Sequence, residues 1–189
     1  MRPTRRDLVA ALLAAPLLAA RATGAPEALA LTPACDDGDD PTPPQTAGPF
    51  YLPNAPERRD LAADRPGARP MTVGGLVLDR ACRPLPGAIV ELWHCDETGA
   101  YDTTGFRLRG WQRADAAGRW WFDTIEPGLY PGRTRHVHLR AQRAGRRPLV
   151  TQLYFPGEPG NARDRLFDPR LLVALPEAGG LARYDLVLA

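Results

Sequence analysis

The chain has 189 residues, 44% of them hydrophobic, and this length allows one domain with a full core but not two. The 21 prolines and 18 glycines favour many turns and short strands over long helices. Residues 1–25 carry four arginines against one aspartate, so the net charge of +2 falls to −1 for the rest of the chain. This nearly neutral remainder gives no electrostatic reason for nucleic-acid binding, and we exclude that class of partner.

Residues 1–25 are typical of a cleavable export signal. Arg5 and Arg6 precede a short apolar run, and small residues follow it around positions 22–25. The run is too short for a stable membrane span, and the paired arginines favour the twin-arginine route. An ordinary secretory signal or a retained anchor is the alternative. We therefore expect a periplasmic or secreted protein.

The next segment, residues 26–45, is rich in Pro, Asp and Thr and predicts a flexible lead-in to a domain at 46–189. An exported chain can hold a disulfide, and three cysteines are present. Cys82 and Cys95 flank a predicted strand, which would hold their Cα atoms beyond the ~7 Å that a disulfide allows. A disulfide in this chain is therefore expected to use Cys35.

Short strand signals recur from about residue 71, each bounded by Gly, Pro or Asp. They predict strands at 71–78, 88–94, 118–125, 135–142, 149–155 and 183–188. No long segment after the leader carries a helical period. The sequence therefore predicts an all-β fold, a single-domain antiparallel β-sandwich with irregular loops.

Two histidines in the fourth predicted strand form a candidate metal site. His136 and His138 are two residues apart, so an extended strand turns both imidazoles to one face. Tyr130 lies six residues before them, and a hard phenolate oxygen favours ferric iron. The alternative is that Tyr130 packs in a turn and both histidines hydrogen-bond to the backbone.

A series of motifs in a fixed order resembles the intradiol ring-cleavage dioxygenases, in particular the small exported bacterial type. The motifs are Thr-Ala-Gly-Pro-Phe-Tyr at 46–51, Pro-Leu-Pro-Gly-Ala-Ile-Val-Glu-Leu-Trp-His-Cys-Asp at 84–96, Gly-Ala-Tyr at 99–101, Tyr-Pro-Gly-Arg at 130–133, His-Val-His at 136–138, and Leu-Val-Thr-Gln-Leu-Tyr-Phe at 149–155. Each is modest alone, but their order and spacing together are specific.

The resemblance implies a mononuclear, non-haem Fe(III) cofactor and assigns residues to it. The implied metal ligands are Tyr101, Tyr130, His136 and His138, with Tyr130 as the ligand that substrate displaces. Arg133 would stabilise negative charge at the reacting ring. Gln152 would hydrogen-bond on the substrate side of the site.

Several other residues are alternative candidates for the site or are expected to have structural roles. Arg135 competes with Arg133, but strand alternation turns it away from the histidines. Tyr154 competes with Tyr101 as the second phenolate. Tyr51 and Leu52 are candidates for the substrate mouth. Structural roles are expected for four further residues, namely His94, Trp93, Trp120 and Trp121.

The implied substrates are a small aromatic diol and O2. The ring would open between its two hydroxylated carbons, giving a muconate-type dicarboxylic acid. One alternative is an exported β-sandwich that binds a ligand without catalysis. Another is a copper or zinc hydrolase, although the chain has no CxxC motif. The sequence does not set the oligomeric state.

Overall fold

The computed structural model describes residues 40–175 and 180–189. They form eight strands, which are β1 (Pro70–Asp79), β2 (Ile89–Trp93), β3 (Arg109–Arg113), β4 (Arg119–Ile125), β5 (His136–Gln142), β6 (Leu149–Tyr154), β7 (Leu181–Arg183) and β8 (Leu186–Leu188). Within the described ranges the only helical elements are two 3-10 turns, Ala62–Asp64 and Pro169–Leu171. Neither turn is long enough to cross a membrane.

The strands form two sheets. The first has the order β3-β2-β5-β6, and all its pairs are antiparallel. In the second, β1 pairs with β4 antiparallel and with β7 and β8 parallel. Buried side chains of both sheets form one hydrophobic core. The predicted all-β sandwich is confirmed, and the parallel pairs at β7 and β8 depart from a purely antiparallel arrangement.

Five of the six predicted strands lie within one residue of their expected ends. The sixth is divided into β7 and β8 because Asp185 interrupts the pairing with β1. Its Oδ1 atom accepts a hydrogen bond of 2.9 Å from the backbone N–H of Leu76. The side chain thus takes a place that a strand carbonyl would otherwise fill.

Strand β3 was not predicted, because Arg-Gly-Trp-Gln-Arg contains a single apolar side chain. It forms because both of its edges are paired. One edge pairs with β2, and the other binds the preceding segment through Trp111 N to Pro56 O (3.1 Å) and Arg58 N to Trp111 O (3.0 Å). Tertiary pairing here outweighs weak strand propensity.

The two faces of the first sheet differ in chemistry. Along β2 and β5, alternation turns Leu92 and Leu139 towards the core, and we call this side the inner face. The opposite side, the outer face, is covered by loops. It carries Glu91, Trp93, Arg109, Trp111, His136, His138, Arg140, Gln152 and Tyr154.

The predicted core tryptophans have different environments. Trp120 lies in the core, as expected. Trp93 is equally buried but lies on the outer face. Trp121 is only half-buried, and the guanidinium carbon of Arg59 lies 4.3 Å from its ring centroid. The core prediction is therefore wrong for Trp121 and incomplete for Trp93.

The cysteines divide as the sequence indicates. Cys82 is disulfide-bonded and Cys95 is a buried free thiol, so the two do not pair with each other. Cys35, the export signal and most of the lead-in lie outside the described residues. In its described part, Thr42 N donates to Val187 O (3.0 Å) and Gln45 N to Val150 O (2.8 Å), so this end packs on the domain.

Candidate metal centre

Strand β5 places both histidines on the outer face, as predicted. His136 and His138 are 2% and 3% exposed, and their ring centroids are 4.9 Å apart. Burial lowers the pKa of His136 to about 4 and holds the pKa of His138 well below its ordinary value. Both imidazoles are therefore neutral at pH 7, the form in which a ring nitrogen has a lone pair for a metal.

Two loops bring the tyrosines to this face. Tyr101 lies in the loop between β2 and β3, and Tyr130 lies in the loop between β4 and β5. Gly128 N donates to Asp96 O at 2.8 Å, which joins the two loops. Gly99 has φ +88, and a Cβ there would collide with the backbone carbonyl of Leu129. Glycine thus allows the backbones to approach closely enough to place the two phenols side by side.

The four predicted ligands form one cluster of rings. The Tyr101 hydroxyl lies 3.2 Å from Nε2 of His136. The ring centroid of Tyr101 is 5.8 Å from that of Tyr130 and 6.1 Å from that of His138. The structure therefore brings all four residues to one place, although their assignment as ligands stays a prediction.

The tautomer of His136 suits a ligand role. Its Nδ1 atom lies 2.7 Å from the backbone oxygen of Thr134, so Nδ1 carries the proton and Nε2 has the lone pair. That lone pair faces the Tyr101 hydroxyl. Nδ1 of His138 is buried and has no hydrogen-bond partner among the described residues. The His138 ring therefore has a buried nitrogen beside the cluster that makes no hydrogen bond.

His94 has the structural role expected of it. Its Nδ1 donates to Cys95 O at 2.6 Å, and Nε2 lies 2.7 Å from Oγ1 of Thr124. Both ring nitrogens are therefore occupied. Across the described ranges, no group of three or more His, Cys, Asp or Glu side chains could hold a metal ion. The oxygens closest to His136 and His138 that suit a metal are those of the predicted ligands Tyr101 and Tyr130.

The segment before β1 covers the cluster. The Phe50 ring stacks on Tyr101 at 4.5 Å and meets Tyr130 edge-on at 5.4 Å. Gly48 has φ +69, and a Cβ there would lie 3.4 Å from Cε1 of His138. Thr46 O accepts a hydrogen bond of 3.0 Å from Nε2 of Gln152. These contacts hold the segment against the histidines.

Arg133 is held at the edge of the cluster by a buried network. Its Nη2 donates to Oε1 of Gln152 at 2.7 Å, and its Nε donates to Oδ2 of Asp164 at 2.8 Å. Asp164 also accepts from the backbone N–H groups of Thr134 and Leu166. Burial alone would raise the pKa of Asp164, but these hydrogen bonds and the guanidinium hold it below its ordinary value. Arg133 therefore has a fixed, fully charged partner.

The two rival residues have other partners. Arg135 binds Glu158 through Nε at 2.6 Å and Glu126 through Nη1 at 3.1 Å. The Tyr154 hydroxyl lies 2.8 Å from Leu166 O and 2.6 Å from Oε1 of Gln45. Neither is free to serve at the centre, so the geometry favours Arg133 and Tyr101 over them.

Tyr51 lies on the outer face, where Trp93 separates its ring from His138. Its ring packs on Trp93 at 4.9 Å, and its hydroxyl donates to Oε2 of Glu91 at 3.3 Å. It lines a shallow cavity of about 350 Å³ together with Trp111 and Arg140. Its role in substrate binding stays a prediction.

Sequence reasoning missed three residues around the centre. Phe50 was seen only as part of a motif. Trp93 stacks on His138 at 5.0 Å with its ring nearly parallel, a contact that depends on the register of β2 and β5. Asp164 lies in an irregular loop with no periodic signal. Trp93 could be found only from the pairing of β2 and β5, and Asp164 only from the path of its loop.

The class of protein now follows from the comparisons with known proteins. A family model described as dioxygenase matches residues 46–173. The dioxygenase domain of a dioxygenase–carbohydrate-binding fusion from Streptomyces sp. SirexAA-E is 51% identical, with a TM-score of 0.76, over 79% of this chain and 98% of that one. Hydroxyquinol 1,2-dioxygenase from Pseudomonas putida DLL-E4 is 27% identical with a TM-score of 0.69, over 78% of this chain and 66% of that one.

A curated relative gives the same result. Chlorocatechol 1,2-dioxygenase from Rhodococcus opacus is 31% identical over 59% of this chain and 55% of its own length. The chain spans about half the length of the curated relatives it matches. The chain belongs to the dioxygenase family, in its intradiol ring-cleavage group, and the resemblance seen in the sequence is confirmed.

Proposed function

We propose that this protein is a non-haem Fe(III) dioxygenase that opens the ring of a catechol-type substrate between its two hydroxylated carbons, using O2. The product would be a muconate-type dicarboxylic acid. The family and its named relatives support this reaction class. The observation that carries the proposal is the convergence of two phenols and two neutral imidazoles on the outer face, with Tyr101 3.2 Å from His136.

The residues fit a ferric ion by their chemistry. His136 and His138 offer neutral nitrogens, and Tyr101 and Tyr130 offer oxygens that become hard anionic donors once deprotonated. Burial raises the pKa of Tyr101 in the metal-free protein, so metal binding would release its proton. When bound, the ferric ion would act as a Lewis acid that orients the diol and makes its ring reactive towards O2.

The surrounding side chains would then act on the substrate. Tyr130 is half-buried in the middle of its loop, and its oxygen, once deprotonated as a ligand, would receive a proton from the incoming diol. The Nη1 atom of Arg133 makes no hydrogen bond with the described residues and stays available to negative charge on the ring. Gln152 and Asp164 hold that guanidinium in place. Phe50 and the segment around it limit the access of water.

We also propose export to the periplasm or beyond, through the twin-arginine route. The disulfide at Cys82 supports an oxidising compartment. Cell fractionation of the full chain tests this, with Arg5→Lys and Arg6→Lys together as the variant. Retention of that variant in the cytoplasm supports the route, and unchanged export contradicts it.

Ferric reconstitution tests the catalytic proposal. The loaded protein should show a visible tyrosinate-to-iron absorption band, take up O2 with a catechol, and release a ring-opened dicarboxylic acid. Tyr130→Phe should lower turnover much more than it lowers the free energy of unfolding. A colourless iron-loaded protein that binds catechols without O2 uptake would favour a non-catalytic binding module.

A further inference from the structure

One cross-strand row on the outer face passes through the candidate metal centre. Arg109 on β3 lies opposite Trp93 on β2, Trp93 lies opposite His138 on β5, and His138 lies opposite Gln152 on β6. Neighbouring side chains in such a row are in contact range, with Cβ atoms about 5 Å apart. Gln152, at one end, binds Arg133. Arg109 is at the other end.

Unmet hydrogen-bonding capacity is concentrated in this row. Over the described part of the chain, four buried side-chain nitrogens have no hydrogen-bond partner, and these are Nε and Nη1 of Arg109, Nε1 of Trp93 and Nδ1 of His138. All four belong to three adjacent members of the row. Arginine and tryptophan nitrogens only donate, so the row can donate more hydrogen bonds than it makes. Such a concentration points to function, because unmet buried donors are costly to the fold.

Arg109 is the most costly member. It is 1% exposed, and a guanidinium does not deprotonate in proteins. Its single hydrogen bond runs from Nη2 to the backbone oxygen of Asp102 at 2.5 Å. The Asp102 carboxylate is no partner, since its own loop occupies it through Thr104, Gly105 and Arg107. A buried cation without a hydrogen-bonded carboxylate is destabilising by itself.

The contact with Asp102 links Arg109 to the metal centre. Asp102 directly follows Tyr101, so the guanidinium holds the backbone that presents the phenol. The Asp102 carboxylate attracts the guanidinium but makes no hydrogen bond with it. Glu91 faces Tyr51 at 3.3 Å and Arg140 at 3.8 Å.

We propose that Arg109 is a positioning residue for Tyr101, which it holds through the hydrogen bond from its Nη2 atom to the Asp102 carbonyl. The proposal rests on the function proposed above. It explains why the fold keeps a buried guanidinium at this point, because the group fixes the backbone that presents a metal ligand. Arg109 acts through Tyr101 and does not touch the substrate.

Two methionine variants test this proposal. Arg109→Met removes the charge and keeps the bulk, and Arg113→Met is the control, on the same strand and face but exposed. Three quantities are measured for each: the unfolding midpoint of the metal-free protein, the ferric affinity by chelator competition, and the wavelength of the tyrosinate absorption band. For Arg109→Met we expect an unchanged or higher midpoint, about tenfold or greater loss of affinity, and a shifted band. Arg113→Met should match the wild type.

Other outcomes overturn the proposal. If Arg109→Met equals Arg113→Met in ferric affinity and band position, Arg109 does not position Tyr101. If Arg109→Met unfolds earlier without metal, or does not fold, the cation serves the fold itself. Arg109→Lys should keep the band closer to the wild type than Arg109→Met does, because it retains a donor for the Asp102 carbonyl. A wild-type protein that takes up no ferric ion would instead overturn the proposed function and this inference together.

Discussion

The inner and outer faces of the first sheet are made by the same strands yet differ in what fixes their side chains. On β5, Val137 and Leu139 are 0% exposed, and His136 and His138 are 2% and 3% exposed. Burial therefore does not distinguish the faces. The inner face is covered by the second sheet and fixed by apolar packing, whereas the outer face is covered by loops and fixed by individual hydrogen bonds.

This difference indicates that the inner face mainly supplies stability and the outer face mainly supplies the metal site. Apolar packing is not directional, so the inner face can specify the fold without placing any atom accurately. A metal centre needs donor atoms at set positions, which hydrogen bonds and close backbone approach provide. Changes on the inner face should therefore alter stability first, and changes on the outer face should alter the metal and its chemistry first.

Adjacent residues on β5 give the largest expected contrast. His138→Ala should reduce ferric affinity by more than about 100-fold, because losing even a group that orients a ligand costs about 10–100-fold. Leu139→Ala should lower the free energy of unfolding by about 2–5 kcal/mol through the cavity it leaves. Chelator competition and denaturant unfolding measure the two effects.

The two faces would not differ in this way if Leu139→Ala lost ferric affinity and His138→Ala lost stability. The remaining folded Leu139→Ala protein should bind iron with wild-type colour. His138→Ala should be the more stable variant, since Nδ1 of His138 has no hydrogen bond to lose within the described chain. A colourless Leu139→Ala protein would show that the centre depends on the core as closely as the fold does.

The two arginines on either side of Thr134 give the next contrast. Arg133→Gln should lower turnover by about 10²–10³-fold, the range for loss of one preorganised charge-stabilising group, while the iron colour remains. Arg135→Gln is the control, because Arg135 binds Glu126 and Glu158 away from the centre. Steady-state O2 uptake measures both variants. Equal losses of turnover in the two variants would mean that turnover depends on the loop as a whole and not on the Arg133 guanidinium.

The inner face could be read from the sequence, and much of the outer face could not. Alternation in β2 and β5 is a local signal, so the strands, the core side of Leu139 and the shared face of the histidines follow from residue spacing. Tyr130 follows from its proximity to the histidines. Tyr101 needed the family resemblance, because nothing in a polar loop shows where its tyrosine will point.

The outer face also depends on pairings that local sequence does not encode. Trp93 meets His138 only because β2 and β5 pair in one particular register. Strand β3 is polar and became a strand through its neighbours, so Arg109 could not be placed. Asp164 reaches Arg133 across 31 residues of chain. Such contacts are set by tertiary structure, which is why spacing alone missed them.

Two Gly→Ala variants distinguish the cost of a positive φ from the cost of a collision between the two tyrosine loops. Gly99→Ala should lower the free energy of unfolding by about 2–4 kcal/mol, because it adds a positive φ penalty to a collision with the Leu129 carbonyl. Gly132→Ala has a similar φ of +80 but no atom within 4 Å of the added Cβ, so about 1–2 kcal/mol is expected. Denaturant unfolding gives both values, and equal losses would show that contact between the tyrosine loops contributes nothing.

Asp164→Asn tests the hydrogen-bonded network by its pH dependence. Asp164 is 2% exposed in its side chain, and its pKa is held below the ordinary value in the folded protein. A depressed carboxyl pKa stabilises the fold above the unfolded value near 3.9, and this contribution is lost as the pH falls towards the folded pKa. At pH 7, Asp164→Asn should therefore cost about 1.5–3 kcal/mol, the range for a hydrogen bond to a charged group.

That cost should shrink below about pH 4, because the wild type then loses the same contribution. Denaturant unfolding of both proteins at pH 7, 4 and 3 measures the difference. A gap that stays constant with pH would mean that Asp164 acts by shape and not by charge. In the loaded protein the variant should keep its colour and lose turnover less than Arg133→Gln does, because Gln152 still holds the guanidinium at 2.7 Å. Colour loss would place Asp164 among the supports of the metal ligands instead.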